Sequence, residues 1–395
     1  MKHNFDEVVE RRGTECKKWD TYPADVIPMW IADTDFKCPE PVVAAMIKRA
    51  GHGIYGYPVN SSNFNKAIKN WQLKRFGWEI AEEWVEYTPA VVPAIVFAIR
   101  AFTQPGDHIV LQLPAYHPFH QIIPDNGRII AGNELRLQDG QYVIDFADLE
   151  KKLSHPRAKM LLLCNPHNPV GRCFTREELL KIGNLCIENQ VLVVADEIHA
   201  DIIYDGNRHT PFATLSAAIA NNCIVCVNPS KTFNIAGVRT GAAITPNKAL
   251  RTALHESVAN NKAYGRTIFG TLPVEVAYNE CDYYADQLVE YLQGNLAYML
   301  DFFAARIPAI HVVRPEATYL IWLDCRQLQM SAAGLQKLFL DKAKVAMNEG
   351  STFGPGGTGF MRMNIACRRE VLEQALLRIE TAVNGLDQSG LQKLC

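Results

Sequence analysis

Short apolar runs rich in β-branched residues alternate along this chain with stretches whose apolar positions recur every three to four residues. The clearest runs are His108–Leu113, Met160–Cys164, Val191–Ala195, Cys223–Val227 and Ala242–Thr245. Continuous apolar runs of this length suit strands buried on both faces. Their alternation with helical stretches predicts an α/β fold, a mainly parallel sheet covered by helices on both sides. Thr175–Asn189 reads as one such helix: Thr175 is the N-cap, Glu178 completes a capping box, and Leu179, Ile182, Leu185 and Cys186 share a face. Gln287–Phe303, with Leu288, Tyr291, Leu292 and Leu296 on one side, suits a long linking helix. Glu370–Val383, apolar at Leu372, Leu376 and Ile379, predicts a carboxyl-terminal helix, and the tail Gly385–Cys395 is expected to be loose.

The residues just past each strand carry the chemistry. Pro114-Ala115-Tyr116 comes after the first run, and Asn165-Pro166-His167-Asn168-Pro169 after the second. The third leads into Asp196-Glu197-Ile198-His199, and the fourth into Ser230-Lys231. Ligands of open α/β sheets bind outside the carboxyl ends of the strands. That rule gathers an aromatic ring, an amide, a carboxylate and an amine at one edge. Taken singly, Asn and Pro are turn formers and Asp196 is a helix cap. Together they are complementary.

Lys231 is the centre of this set. An amine just past a buried strand is poorly placed for packing and well placed for a Schiff base with a carbonyl cofactor. Arg239, eight residues on, offers a planar fork for a phosphate. Thr88–Phe102 opens as Thr-Pro-Ala-Val-Val-Pro and continues as a helix, so the free amides of Val91 and Val92 form an anion site, with Ser230 and Arg239 completing it. A plain capped helix is the alternative. Lysine, hydroxyls and arginine together suggest pyridoxal phosphate.

Size and composition leave this picture intact. The 395 residues suffice for a large core and two packed units. A net charge of −2 gives no reason to expect nucleic acid or an anionic membrane as partner. No stretch reaches the ~20 apolar residues of a membrane helix, and no signal core opens the chain. Eleven cysteines scattered through apolar runs suit reduced thiols in a cytoplasmic protein. Cys223 and Cys226 form a C-x-x-C spacing with no second pair, and read as strand residues rather than metal ligands; no metal site is expected. Gly354, Gly356 and Gly359 match G-x-G-x-x-G too near the end for a βαβ unit to come after them.

The pattern resembles the fold-type I, pyridoxal-phosphate-dependent aminotransferase superfamily, and within it the MalY/PatB group of carbon–sulfur β-lyases. Pro28-Met29-Trp30-Ile31-Ala32-Asp33, Gly53-Ile54-Tyr55-Gly56-Tyr57, Val91-Val92-Pro93-Ala94, Asn165–Gly171, Asp196–His199, Ser230–Asn234 and Arg362-Met363-Asn364 carry it. The resemblance implies a seven-stranded, mainly parallel sheet in a large cofactor domain (50–284). A smaller α/β domain would combine 1–49 with 285–395.

It further implies that Lys231 holds the cofactor and moves the substrate's α-proton, while Asp196 pairs with the ring nitrogen. Tyr116 would stack on the ring, Asn168 would bond its phenolic oxygen, and Arg362 would clamp the substrate carboxylate, a structural salt bridge being the rival reading. His199 either contacts the ring or packs as a core histidine. Tyr57 would reach the neighbouring subunit's site in a homodimer, and Trp30 and Tyr55 would wall the pocket. Ala90, Thr34, Ala317, Thr358 and Arg368 depart from the group's pattern, the first four touching the pocket or its lining. The implied reaction is β-elimination from cystathionine or another S-substituted cysteine. An aminotransferase uses the same residues, and a cofactor-holding regulatory protein that binds a transcription factor is a third reading.

Overall fold

A computed structural model of the chain describes residues 1–263 and 265–386, so residues 387–395 of the expected loose tail lie outside it. Seven strands build the central sheet: β1 Val85–Thr88, β2 His108–Leu113, β3 Ile129–Glu134, β4 Ala158–Cys164, β5 Leu192–Asp196, β6 Cys223–Val227 and β7 Gly241–Ile244. Their order is β1-β7-β6-β5-β4-β2-β3. Strand β7 runs antiparallel to β1 and β6, and the remaining pairings are parallel.

The strand pattern alternates with period two, and each set of side chains enters a different half of the core. Leu161 and Leu163 of β4 pack with the helix Arg176–Glu188 on one face. Met160, Leu162 and Cys164 pack with the helix Val91–Phe102 on the other. Each such side chain, removed from water, contributes about 2 kcal/mol. The same alternation settles the C-x-x-C spacing. Cys223 belongs to one face and Cys226 to the opposite one, so the two thiols cannot meet at one metal.

The capping box forms as read: Glu178 N–H donates to Thr175 Oγ1 at 3.2 Å, and Thr175 N–H to Glu178 Oε2 at 2.8 Å. Helix Asp282–Arg306 links the central sheet to a four-stranded antiparallel sheet. This comprises β8 His311–Val313, β9 Leu320–Asp324, β10 Asn348–Glu349 and β11 Phe360–Asn364, in the order β8-β9-β11-β10. The amino-terminal stretch returns to this region. Ile27–Pro28 pairs in parallel with Val345–Ala346, and Asn364 N–H donates to Met29 O at 2.9 Å. Residues 30–36 thereby lie between the two sheets, next to the lysine turn.

Candidate active site

The carboxyl ends of β2, β4, β5 and β6 open on one cavity, lined among others by Tyr116, Asn168, Asp196, His199 and Lys231. Strand register explains the gathering: Cys164 at the end of β4 pairs with Asp196, which pairs with Cys226 of β6. The chain then leaves each strand at the same level. The four side chains that the carboxyl-end rule assembles are therefore together.

Lys231 rides on the short helical turn Ser230–Phe233, and its Nζ donates to Ala32 O at 2.8 Å. Burial lowers its pKa to about 8, against the pull of Asp33 and Asp196 and with help from Arg362. Asp196 is the one carboxylate among the described residues lining the cavity. Burial raises its pKa to about 7, opposed by the N–H of Ile198 at 3.1 Å and by Lys231, and reinforced by Glu197. A desolvated acid and a desolvated amine facing one cavity each lack a full partner.

At the other end the helix Val91–Phe102 begins with no side-chain cap, because its N-cap is Ala90. Val91, Val92, Ser230, Asn228 and Arg239 line this end. Arg239 is in the left-handed region at φ 53, an uncommon conformation for a residue with a side chain. A Cβ on Gly241 would stand 3.2 Å from the Ala90 carbonyl carbon and 3.3 Å from Asn228 Nδ2, so glycine there lets β7 pass close behind the helix start. Asn228, which the sequence reading did not single out, accepts Ser230 N–H at 2.8 Å and donates to Thr240 O. The only sequence signal for it is its place in Asn-Pro-Ser-Lys.

The other expected site residues stand outside this lining. Trp30, Tyr55, Tyr57 and Arg362 do not line the cavity of the single chain. Tyr55 is exposed, its hydroxyl turned back to Ala50 O at 2.6 Å, and Tyr57 is fully exposed. Trp30 is half-buried and donates through Nε1 to Lys18 O. Of the four departures expected at the pocket, only Ala90 lines it. Its φ of −176 is extended backbone open to any residue, so an alanine in place of glycine costs no strain there. Thr34 is buried, its hydroxyl without a partner among the described residues; Ala317 is buried, and Thr358 is exposed.

Arg362 lies one side chain away. Nη1 donates to Asn168 Oδ1 at 2.8 Å, Nη2 to Asn348 Oδ1 at 2.7 Å and to Trp30 O at 3.0 Å, and the guanidinium stacks on Phe353 at 4.7 Å. All these acceptors are neutral, Nε has no partner among the described residues, and burial lowers the pKa to about 10. The salt-bridge reading fails, since no carboxylate among the described residues pairs with this arginine. A buried cation without a counter-ion is costly alone and matched to an incoming carboxylate. His199 is buried, its Nδ1 has no partner among the described residues, and burial beside Lys231 and Arg362 holds its pKa near 3, so it is neutral at pH 7.

The family model "Aminotransferase class I and II" matches residues 24–379. The chain belongs to the aminotransferase class I and II family. Within this family it is 42% identical over 386 residues to cystathionine beta-lyase PatB of Bacillus subtilis, covering 96% of this chain and 100% of the relative. The structure of cystalysin from Treponema denticola, which contains pyridoxal 5′-phosphate, superposes with a TM-score of 0.95 at 34% identity, over 98% of this chain and 100% of that one. A PLP-bound putative aminotransferase from Clostridium difficile gives 0.95 at 36% identity, over 97% and 100%. The aminotransferase class I and II family is pyridoxal-phosphate-dependent. The cavity fits that cofactor: Asp196 has no ion pair among the described residues, Lys231 is a desolvated amine suited to a carbonyl, and an uncapped helix start beside Arg239 suits a phosphate.

Proposed function

We propose that this protein is a PLP-dependent carbon–sulfur β-lyase. It would convert an S-substituted cysteine such as cystathionine, with one water, into a thiol, pyruvate and ammonia. The observation that carries the reading is full-length similarity to a cystathionine beta-lyase, because an amine facing a carboxylate is common to lyases and aminotransferases.

The bound cofactor supplies an electron sink for the pair left when the α-proton departs. Asp196 would hold the ring nitrogen protonated, Asn168 the phenolic oxygen, and Tyr116 one ring face. The helix start at Val91 and Val92, with Ser230 and Arg239, would hold the phosphate. Arg362 binds the substrate carboxylate and gives up a neutral acceptor to do so. The Lys231 amine takes the proton from the α-carbon, and the thiolate leaves from the β-carbon. His199, neutral and buried, would lie against the ring without transferring a proton. Purified protein given an S-substituted cysteine and no 2-oxo acid is expected to release thiol and pyruvate in equal amounts. A rate that depends on added 2-oxoglutarate would assign an aminotransferase instead.

The reading extends to a homodimer. Ile54, Tyr55, Tyr57 and Val59 form one exposed, largely apolar stretch that a second copy would cover. Tyr57 would then act in the partner's site. Mixing the Lys231→Ala and Tyr57→Phe proteins is expected to recover about a quarter of the wild-type rate, since half the dimers carry one intact site of two. A monomer in sedimentation would overturn this. We divide the chain into a large domain, 50–284, and a smaller one, 1–49 with 285–395, with the linking helix Asp282–Arg306 as support. Ten unpaired cysteines among the described residues favour a cytoplasmic site. No helix among those residues is long and apolar enough to cross a membrane.

A further inference from the structure

The helical turn that carries Lys231 has four residues, Ser230–Phe233. One turn does not hold itself, because its first hydrogen bond must order several torsions at once. Its two flanking asparagines and one side chain from elsewhere hold it at three points. At its start Asn228 Oδ1 accepts Ser230 N–H at 2.8 Å. At its end Asn234, left-handed at φ 55, donates through Nδ2 to Thr34 O at 3.0 Å and Phe36 O at 2.8 Å.

The middle is held by a carboxylate that the reaction does not use. Thr232 Oγ1 donates to Asp201 Oδ2 at 2.8 Å, and Trp71 Nε1 donates to Asp201 Oδ1 at 3.0 Å. Thr232 and Trp71 are each 1% exposed, so both donors are committed to this acid. Asp201 lies five residues beyond Asp196, on the turn that leaves β5. It thus ties the segment bearing the site's carboxylate to the turn bearing its amine. Beyond Trp71 the contacts reach the surface: Arg75 stacks on the indole at 5.4 Å and pairs with Asp286 at 2.5 Å.

An apolar residue would fill the same place without desolvating a charge, so the acid's advantage is direction. Two hydrogen bonds to separate oxygens fix its plane, and the plane fixes the Thr232 hydroxyl. Rotation of the Ser230–Phe233 turn moves Thr232 and Lys231 together, since they are adjacent on it. We propose that Asp201 is a positioning residue for Lys231, acting through Thr232 to set the rotation of the lysine turn and the approach of its amine. This rests on the lyase reading only in taking Lys231 as the reacting amine.

Two substitutions separate bond from packing. Thr232→Val keeps the shape and loses the hydroxyl; Thr232→Ser keeps the hydroxyl and loses a methyl. In the holoenzyme, Thr232→Val is expected to lower kcat about tenfold with KM within about twofold, as for a small misplacement of a reacting group. It is also expected to change the visible circular dichroism of the bound cofactor, and Thr232→Ser to restore both. Equal kcat and dichroism in all three proteins would overturn the proposal, as would a loss in the serine variant as large as in the valine one. The dichroism does not depend on which reaction is catalysed, so it stays readable if the lyase assignment fails.

Discussion

Lys231→Ala is expected to lower the rate of pyruvate release by at least about 10³-fold, within the range for loss of a positioned proton-transfer group. The absorbance of the lysine–cofactor bond is expected to vanish with it. Geometry and desolvation support this together. The amine lines the cavity and is lowered to about 8, so roughly a tenth of it is free base at pH 7, far more than an ordinary lysine near 10.4 provides. Only that fraction can attack a carbonyl or take a proton from carbon. The fold should survive, because the side chain makes one hydrogen bond, to Ala32 O. An alanine variant with wild-type rate and colour would remove Lys231 from the chemistry and leave the cavity unexplained.

The parts of the fold legible in the sequence are those whose two faces are buried. β2 and β6 appear with the limits read from the sequence, and β4, β5 and β7 within two residues, because an unbroken apolar run has one stable placement in a covered sheet. β1 and β3 escape such a reading. Both are edge strands; β3 carries Gly132, Asn133 and an exposed Ile129, and β1 is only Val85–Thr88 with Glu86 in it, so neither shows an unbroken apolar run. Site residues divide similarly. Tyr116, Asn168, Asp196 and Lys231 emerge from strand ends alone. Arg362 arrives from β11, distant in sequence, so the strand-end rule does not reach it; the family resemblance names it, and the structure gives it buried, acid-free surroundings. Asn228 bonds to backbone and Asp201 to the side chains of Thr232 and Trp71, and no motif spacing records such contacts.

Asp196→Asn isolates the other half of the site. Asparagine has the same outline, and its carbonyl can still accept the Ile198 N–H, so cavity shape and strand β5 are expected to persist. What disappears is a negative charge in a place dry enough to raise the acid's pKa to about 7. A cation seated against that acid would pull its pKa back down and be held in return; this mutual stabilisation is stronger in a desolvated cavity than in water. An amide offers a cationic ring nitrogen only a dipole. The nitrogen would then lose its proton, and the electron sink would weaken. The expected result is a fall in kcat of about 10²–10³-fold, the range for removing one preorganised electrostatic contact. The cofactor should remain bound, because Lys231 and the helix start at Val91 are untouched. Two measurements check it: turnover of an S-substituted cysteine, and the visible spectrum of the resting protein. Wild-type turnover in the asparagine variant would show that Asp196 does not serve the ring, and would leave its desolvation without a purpose.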